Sequence, residues 1–70
     1  MKSSFSERLK YLREERGLTQ RQLEEKLNGK ITKSAISFWE LGLRTPNLDA
    51  VILLADFFGV SIDYLAGREN

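Results

Sequence analysis

One predicted helical face in the middle of the chain combines basic, small and aromatic side chains. Lys33, Ser34, Ser37 and Phe38 recur at the spacing that places residues on the same side of a helix. A lysine ammonium can donate to guanine O6 and N7, serine suits several bases, and phenylalanine can touch the thymine methyl group. We therefore predict that these four side chains contact bases in the DNA major groove, which admits an α-helix.

Polar residues around this face are suited to bind phosphate. Gln20 stands at the first position of the preceding predicted helix, where backbone N–H groups are unpaired and the helix dipole is positive. Arg21 beside it and Arg44 beyond the second helix add positive charge, and Thr32 begins that helix. We predict phosphate contacts from all four residues.

The residue types needed for most enzymatic chemistry are absent. The chain has no histidine and no cysteine, so the usual general base and nucleophile are missing and a thiolate metal site is excluded. The sequence also contains no glycine-rich phosphate loop and no cluster with metal-ligand spacing. We predict a protein that is not an enzyme and uses no cofactor or metal.

The charge is unevenly distributed along the chain. Residues 1–44 hold ten of the eleven Lys and Arg residues against six Glu, giving +4, whereas residues 45–70 sum to −3. Such asymmetry is expected when one end faces phosphate. Many soluble domains are equally lopsided, so the charge supports the base-contacting face without establishing it.

Helix start and stop residues predict an all-α fold of five helices in one domain, residues 1–70 with a core of about 5–67. The predicted starts are Ser4, Thr19, Thr32, Asn47 and Ser61, and the predicted stops are Gly17, Gly29, Gly42, Gly59 and Gly67. The second and third helices form a helix-turn-helix, with the third spanning about 33–41. Helix 3 should turn Ile36, Trp39 and, beyond its end, Leu43 inward. Helix 4, apolar on nearly every side, should be the buried spine of the domain.

Nothing in the sequence suggests a membrane or secreted protein. The longest apolar run, residues 50–55, is far too short to span a bilayer, and the N-terminus lacks the layout of a signal peptide. We predict a cytoplasmic protein that acts at the nucleoid, in a bacterial or phage context.

An ordered set of residues resembles the Xre/Cro family of phage λ-repressor-like helix-turn-helix domains. The resemblance runs from about Phe5 to Gly67. It rests on Leu18-Thr19-Gln20, Leu23, Ile36, Glu40-x-Gly42-x-Arg44-x-Pro46, Ala55, Gly59-Val60-Ser61 and Tyr64-Leu65. It implies a transcriptional regulator, usually a repressor, that binds double-stranded DNA as a homodimer on a palindromic operator.

The chain departs from the family pattern at two points. Glu24 occupies a position that is usually small, and the turn of residues 28–31 is about two residues longer than the family's tightest form. We hypothesise that the longer turn lets helix 3 sit away from the bulkier side chain.

Two further groups of residues are predicted to be structural. Glu40 is a charge near the core and needs a partner, for which Arg13 is the best candidate; the resemblance supports this ion pair between helices 1 and 3. Apolar residues near the C-terminus could finish the core or form a dimer seam; they are Phe57, Ile62, Tyr64 and Leu65.

A second function fits the same fold. Phe38 and Leu41 are apolar on the outward face of helix 3, as an antitoxin-like or anti-repressor module that binds a protein partner would require. Salt separates the two functions, because DNA binding weakens steeply as salt rises and an apolar protein interface does not.

Overall fold

Five helices and no strand form along residues 4–68, the part of the chain that this computed structural model describes. The helices are α1 (Phe5–Glu15), α2 (Gln20–Lys26), α3 (Lys33–Glu40), α4 (Leu48–Phe58) and α5 (Ile62–Leu65). The all-α prediction is confirmed. Within the described residues, no helix combines the length and the hydropathy that crossing a bilayer requires.

Each helix starts where a side-chain oxygen accepts a hydrogen bond from a backbone N–H group of the first turn. The capping residues are those that the sequence predicted: Ser4, Thr19, Thr32, Asn47 and Ser61. In α1 and α2 the bond is reciprocated, because the side chains of Glu7 and Gln22 accept from the backbone N–H of the cap. The first two helices therefore begin with a complete capping box.

The hydrophobic core collects one face of every helix. Leu9, Leu23, Ile36, Leu54 and Leu65 are fully buried in it. Trp39 is a core residue, as predicted, and its ring meets the ring of Phe5 edge-on with centroids 6.1 Å apart. The inward face of α3 is thereby fixed against α1.

Two predictions about burial were wrong. Leu43 follows α3 in a loop and is 67% exposed instead of continuing its inner face. Helix α4 is buried on one side only, because Leu48 is 65% exposed and Ile52 is 37% exposed. The other helices cover one side of α4, so the apolar side chains on its remaining surface meet solvent.

Arg8 in α1 and Arg16, which caps the C-terminal end of α1, connect that helix to the C-terminal half of the domain. Arg8 stacks over the ring of Tyr64 at 4.3 Å and donates to its carbonyl oxygen at 2.6 Å. Arg16 donates to the carbonyl oxygen of Phe58 at 2.9 Å and lies over the rings of Phe57 and Phe58. Part of the positive charge of residues 1–44 is thus used within the fold, which weakens the charge asymmetry as a sign of phosphate binding.

Candidate nucleic-acid interface

The turn between α2 and α3 depends on two consecutive residues in the left-handed conformation. Asn28 has φ 57° and Gly29 has φ 74°, which glycine adopts without steric cost and asparagine tolerates. The N–H of Gly29 donates to the Glu24 carbonyl oxygen at 3.0 Å and that of Lys30 to the Leu27 carbonyl oxygen at 3.1 Å. This compact turn directs the chain into α3.

The outward face of α3 carries the residues predicted to contact bases. Lys33 and Ser34 are exposed on the first turn of the helix, Ser37 is half-buried, and Phe38 is 39% exposed. Ile36, on the opposite face, is fully buried. The structure thus presents a lysine, serines and an aromatic ring on one helix surface, although which of them touch DNA stays a prediction.

Phe38 is accompanied by Arg44 from the loop after α3. The guanidinium carbon lies 5.0 Å from the centroid of the Phe38 ring, within the range of a cation–π contact. Both side chains line an open groove of about 690 Å³ between α3 and the start of α4. Phe38, predicted to contact a base, and Arg44, predicted to contact a phosphate, are therefore in direct contact with each other.

An ion-pair network fixes the C-terminal end of α3. Arg13 donates from Nε to Glu40 Oε2 at 2.7 Å and from Nη2 to Glu40 Oε1 at 2.8 Å. Its Nη1 donates to the Leu18 carbonyl oxygen at 2.7 Å. The hydrogen bond to Glu40 raises the pKa of Arg13, with burial acting against it. The structure thus holds the ion pair that the sequence predicted, between α1 and α3.

Gln20 belongs to the same network. Its side-chain amide donates to Glu40 Oε1 at 3.1 Å, a partner that the sequence did not suggest. An amide nitrogen carries two N–H groups, so this bond leaves a donor for phosphate and also fixes the side chain that would present it. Gln20 as a phosphate ligand stays a prediction.

The other predicted phosphate ligands are exposed to solvent. Arg21, Arg44 and Thr32 are exposed, and the Thr32 hydroxyl oxygen accepts from the N–H of Ala35 as the helix cap. Lys30 is exposed in the turn and lines the same groove as Arg44. Lys30 is not among the predicted phosphate ligands, although its place two residues before the cap of α3 is a local signal for one.

Glu24 makes a contact that the sequence did not predict. Its Oε1 accepts a hydrogen bond from the backbone N–H of Lys33, the first residue of α3, at 2.7 Å. The side chain is half-buried. The hypothesis that the longer turn lets α3 sit away from Glu24 is therefore wrong. The helix begins in direct contact with the carboxylate.

The C-terminal apolar residues divide between core and surface. Leu65 is fully buried and so cannot contact a second copy, which removes it from the predicted dimer seam. Phe57 and Tyr64 are half-buried beneath Arg16 and Arg8, and Ile62 is 41% exposed. A seam at this end would have to be built mainly on Ile62.

Comparison with known proteins agrees with this architecture. The helix-turn-helix family model matches residues 9–65. The transcriptional activator BcrR of Enterococcus faecalis is 42% identical over 94% of this chain, which spans 31% of that protein. The transcriptional regulator ImmR of Bacillus subtilis is 38% identical over 96% of this chain, which spans 51% of that protein. The chain thus spans about half or less of the length of these relatives.

Solved structures give the same result. The DNA-binding domain of S. venezulae BldD superposes with a TM-score of 0.79 at 29% identity, covering 89% of this chain and 90% of that one. A transcriptional regulator from Listeria innocua superposes with a TM-score of 0.82 at 31% identity, covering 100% of this chain and 64% of that one.

The fold, the α2–turn–α3 geometry and these matches define a class of protein. The chain belongs to the helix-turn-helix family, and its resemblance to the Xre/Cro proteins is confirmed.

Proposed function

We propose that this chain is a sequence-specific double-stranded DNA-binding regulator that acts in the cytoplasm, inserting α3 into the major groove. The observation that carries the proposal is the outward surface of α3, where Lys33 and Ser34 are exposed on the first turn and Phe38 lies one turn further on. The first residues of a recognition helix reach furthest into the groove. Lysine and serine there can exchange hydrogen bonds with base edges.

Phosphate contacts would fix the orientation of α3 without carrying sequence information. Cationic donors would come from Arg21 in α2 and from Arg44 beyond the end of α3. Neutral donors would come from Gln20 in α2 and from Thr32, the cap of α3. Because Arg44 also stacks on Phe38, a phosphate bound by Arg44 would hold the ring against the base edges. This arrangement favours thymine, whose methyl group an aromatic edge can touch.

We further propose that the protein binds a palindromic operator as a homodimer and represses transcription. A two-fold symmetric protein matches a two-fold symmetric site, with half-sites spaced by about one helical turn of DNA. Occupying a promoter is sufficient for repression, whereas activation needs a further contact with the transcription machinery. BcrR, one of the relatives, is named an activator, so a reporter assay should be designed to detect either sign.

The direct test is selection of bound sites from random duplexes. The proposal predicts an enriched palindrome, together with an affinity that falls by roughly 0.9 log unit per log unit of salt for each phosphate contacted. Recovery of random sequence would contradict sequence-specific binding, and a single half-site without symmetry would contradict the dimer.

A protein-interaction module is the second candidate function. Leu41 and Leu43 follow the outward face of α3 and are 68% and 67% exposed, and exposed apolar side chains together mark contact surfaces. A partner bound there would hold its affinity as salt rises, which distinguishes this function from DNA binding.

A further inference from the structure

We propose that Glu24 is a positioning residue that fixes the first turn of the recognition helix. Its carboxylate reaches from α2 to the start of α3 and accepts the backbone N–H of Lys33 at 2.7 Å. Lys33 and Ser34 are the first residues of that helix, so a bond at this point controls where both side chains stand. The inference rests on the proposed function only for its effect on DNA reading.

The start of α3 lacks a support that α1 and α2 have. In α1 and α2 the third helical residue, Glu7 or Gln22, accepts from the backbone N–H of the cap and completes a capping box. The corresponding residue of α3 is Ala35, whose side chain has no hydrogen-bond acceptor. The cap of α3 is therefore formed by the Thr32 side chain without a capping box. Glu24 supplies an additional acceptor from the neighbouring helix.

The charge of Glu24 also suits the place. The N-terminus of a helix carries partial positive charge and favours an anion nearby. The first turn of α3 contains no acidic residue and begins with Lys33, a cation at the unfavourable end. The Glu24 carboxylate offsets the positive charge of the helix N-terminus and that of the Lys33 ammonium. The first turn of α3 therefore needs no acidic residue of its own, which DNA would repel.

The turn is built to allow this contact. Gly29, in the left-handed conformation, donates its N–H to the carbonyl oxygen of Glu24. The side chain of Glu24 accepts the backbone N–H of Lys33. Glu24 thus holds both ends of the connection between α2 and α3, its backbone at the beginning and its carboxylate at the end. Two hydrogen bonds of Glu24, one through its backbone and one through its side chain, therefore connect α2 to the turn and to α3.

The test compares Glu24→Ala, Glu24→Gln and Glu25→Ala. Glutamine loses the charge but keeps a carbonyl acceptor, and Glu25 is an exposed neighbour on the same helix whose replacement removes the same charge. All three variants remove one negative charge from α2, and only the two at Glu24 alter the acceptor for the Lys33 N–H, so Glu25→Ala controls for the change in net charge. The measurements are amide hydrogen exchange at Lys33 and the affinity ratio between the selected duplex and duplexes changed at single base pairs.

For Glu24→Ala we expect exchange at Lys33 to accelerate by about tenfold or more, since a hydrogen bond to a charged group is lost. We expect discrimination at the base pairs read by Lys33 and Ser34 to fall by roughly tenfold. Glu24→Gln keeps an acceptor but loses the charge, so both properties should lie between those of Glu24→Ala and the unsubstituted protein. Glu25→Ala should retain both properties in full.

Unchanged exchange at Lys33 in Glu24→Ala would overturn the inference, as would equal discrimination by Glu24→Ala and the unsubstituted protein. An equal loss in Glu25→Ala would also overturn it, because charge alone would then explain the effect. If the unsubstituted protein prefers no duplex, the proposed function fails instead, and exchange at Lys33 by itself decides whether Glu24 holds the helix start.

Discussion

Arg13 and Glu40 are joined by two nearly parallel hydrogen bonds of 2.7 and 2.8 Å, with only 11% and 5% of their side chains exposed. The pair connects α1 to the last residue of α3, so α3 is held at its C-terminal end by an ion pair and at its N-terminal end by Glu24. The bond of Glu24 is at the first residue of α3 and the ion pair is at its last residue, and neither involves Phe38. The outward face is left to make contacts with a ligand.

Breaking the ion pair should destabilise the domain. Arg13→Met leaves the Glu40 carboxylate buried without its main partner, which costs on the order of 3–5 kcal/mol. In a domain of this size that corresponds to a fall in Tm of roughly 10 °C or more. Thermal unfolding measures it, with Arg21→Met, an exposed arginine, as the control. An unchanged Tm for Arg13→Met would show that the pair contributes nothing to stability.

The contribution of Arg13 should not depend on pH across the neutral and moderately alkaline range. Its pKa is raised in the folded protein by Glu40, so its stabilisation is fully present below the pKa of the unfolded chain. That stabilisation disappears only as pH rises through the still higher folded value. The difference in unfolding free energy between the protein and Arg13→Met should therefore be constant from about pH 7 to pH 10. A difference that shrinks within this interval would contradict the assignment.

Phe38 should discriminate thymine from uracil. Loss of one methyl contact is worth about 0.8 kcal/mol, roughly a fourfold change in affinity. Replacing each thymine of the selected duplex by uracil should lower affinity at one position or more, and the effect should vanish in Phe38→Ala. Equal affinity for every substituted duplex would show that the ring does not touch a thymine methyl group.

Arg21 and Arg44 should each set part of the salt dependence. Replacing either by glutamine should weaken binding to all sequences alike and reduce the slope of log affinity against log salt by about one. Arg68→Gln makes the same charge change beyond α5 and serves as the control. If Arg44→Gln instead alters sequence preference with no change in slope, Arg44 acts through the Phe38 ring and not on phosphate.

Ile62 should support dimer formation without supporting the fold. It is 41% exposed on α5, so Ile62→Glu should leave Tm nearly unchanged and abolish cooperative binding to a palindrome while preserving weak binding to a half-site. Ile52→Glu introduces the same charge on the exposed face of α4 and is the matched control. Sedimentation of the two variants with and without duplex distinguishes them, and a dimeric Ile62→Glu would place the seam elsewhere.

Local patterns predicted the helices because each start has its cause within a few residues. Ser4 and Glu7 cap α1 through bonds that their spacing alone allows, and Thr19 with Gln22 repeats the device in α2. The Arg13–Glu40 pair could also be anticipated, because a carboxylate near a core requires a cation, Arg13 lies beside the apolar stripe of α1, and the family resemblance supports the pair.

The rest depends on how the helices pack, which no local pattern encodes. The exposure of Leu48 depends on which side of α4 the other helices cover, and the composition of α4 does not reveal that side. The contact of Glu24 with Lys33 requires the turn to bring the two helix ends together. The sequence marked Glu24 as unusual, but only the geometry assigns its partner.

The outward face of α3 is proposed to read base pairs. This proposal is tested by the affinity of the Lys33→Ala, Ser34→Ala, Phe38→Ala triple variant for the selected duplex and for random duplexes. We predict that the variant folds normally and binds both duplexes with the same weak, salt-dependent affinity. A variant that still prefers the selected duplex by the original ratio would contradict the account.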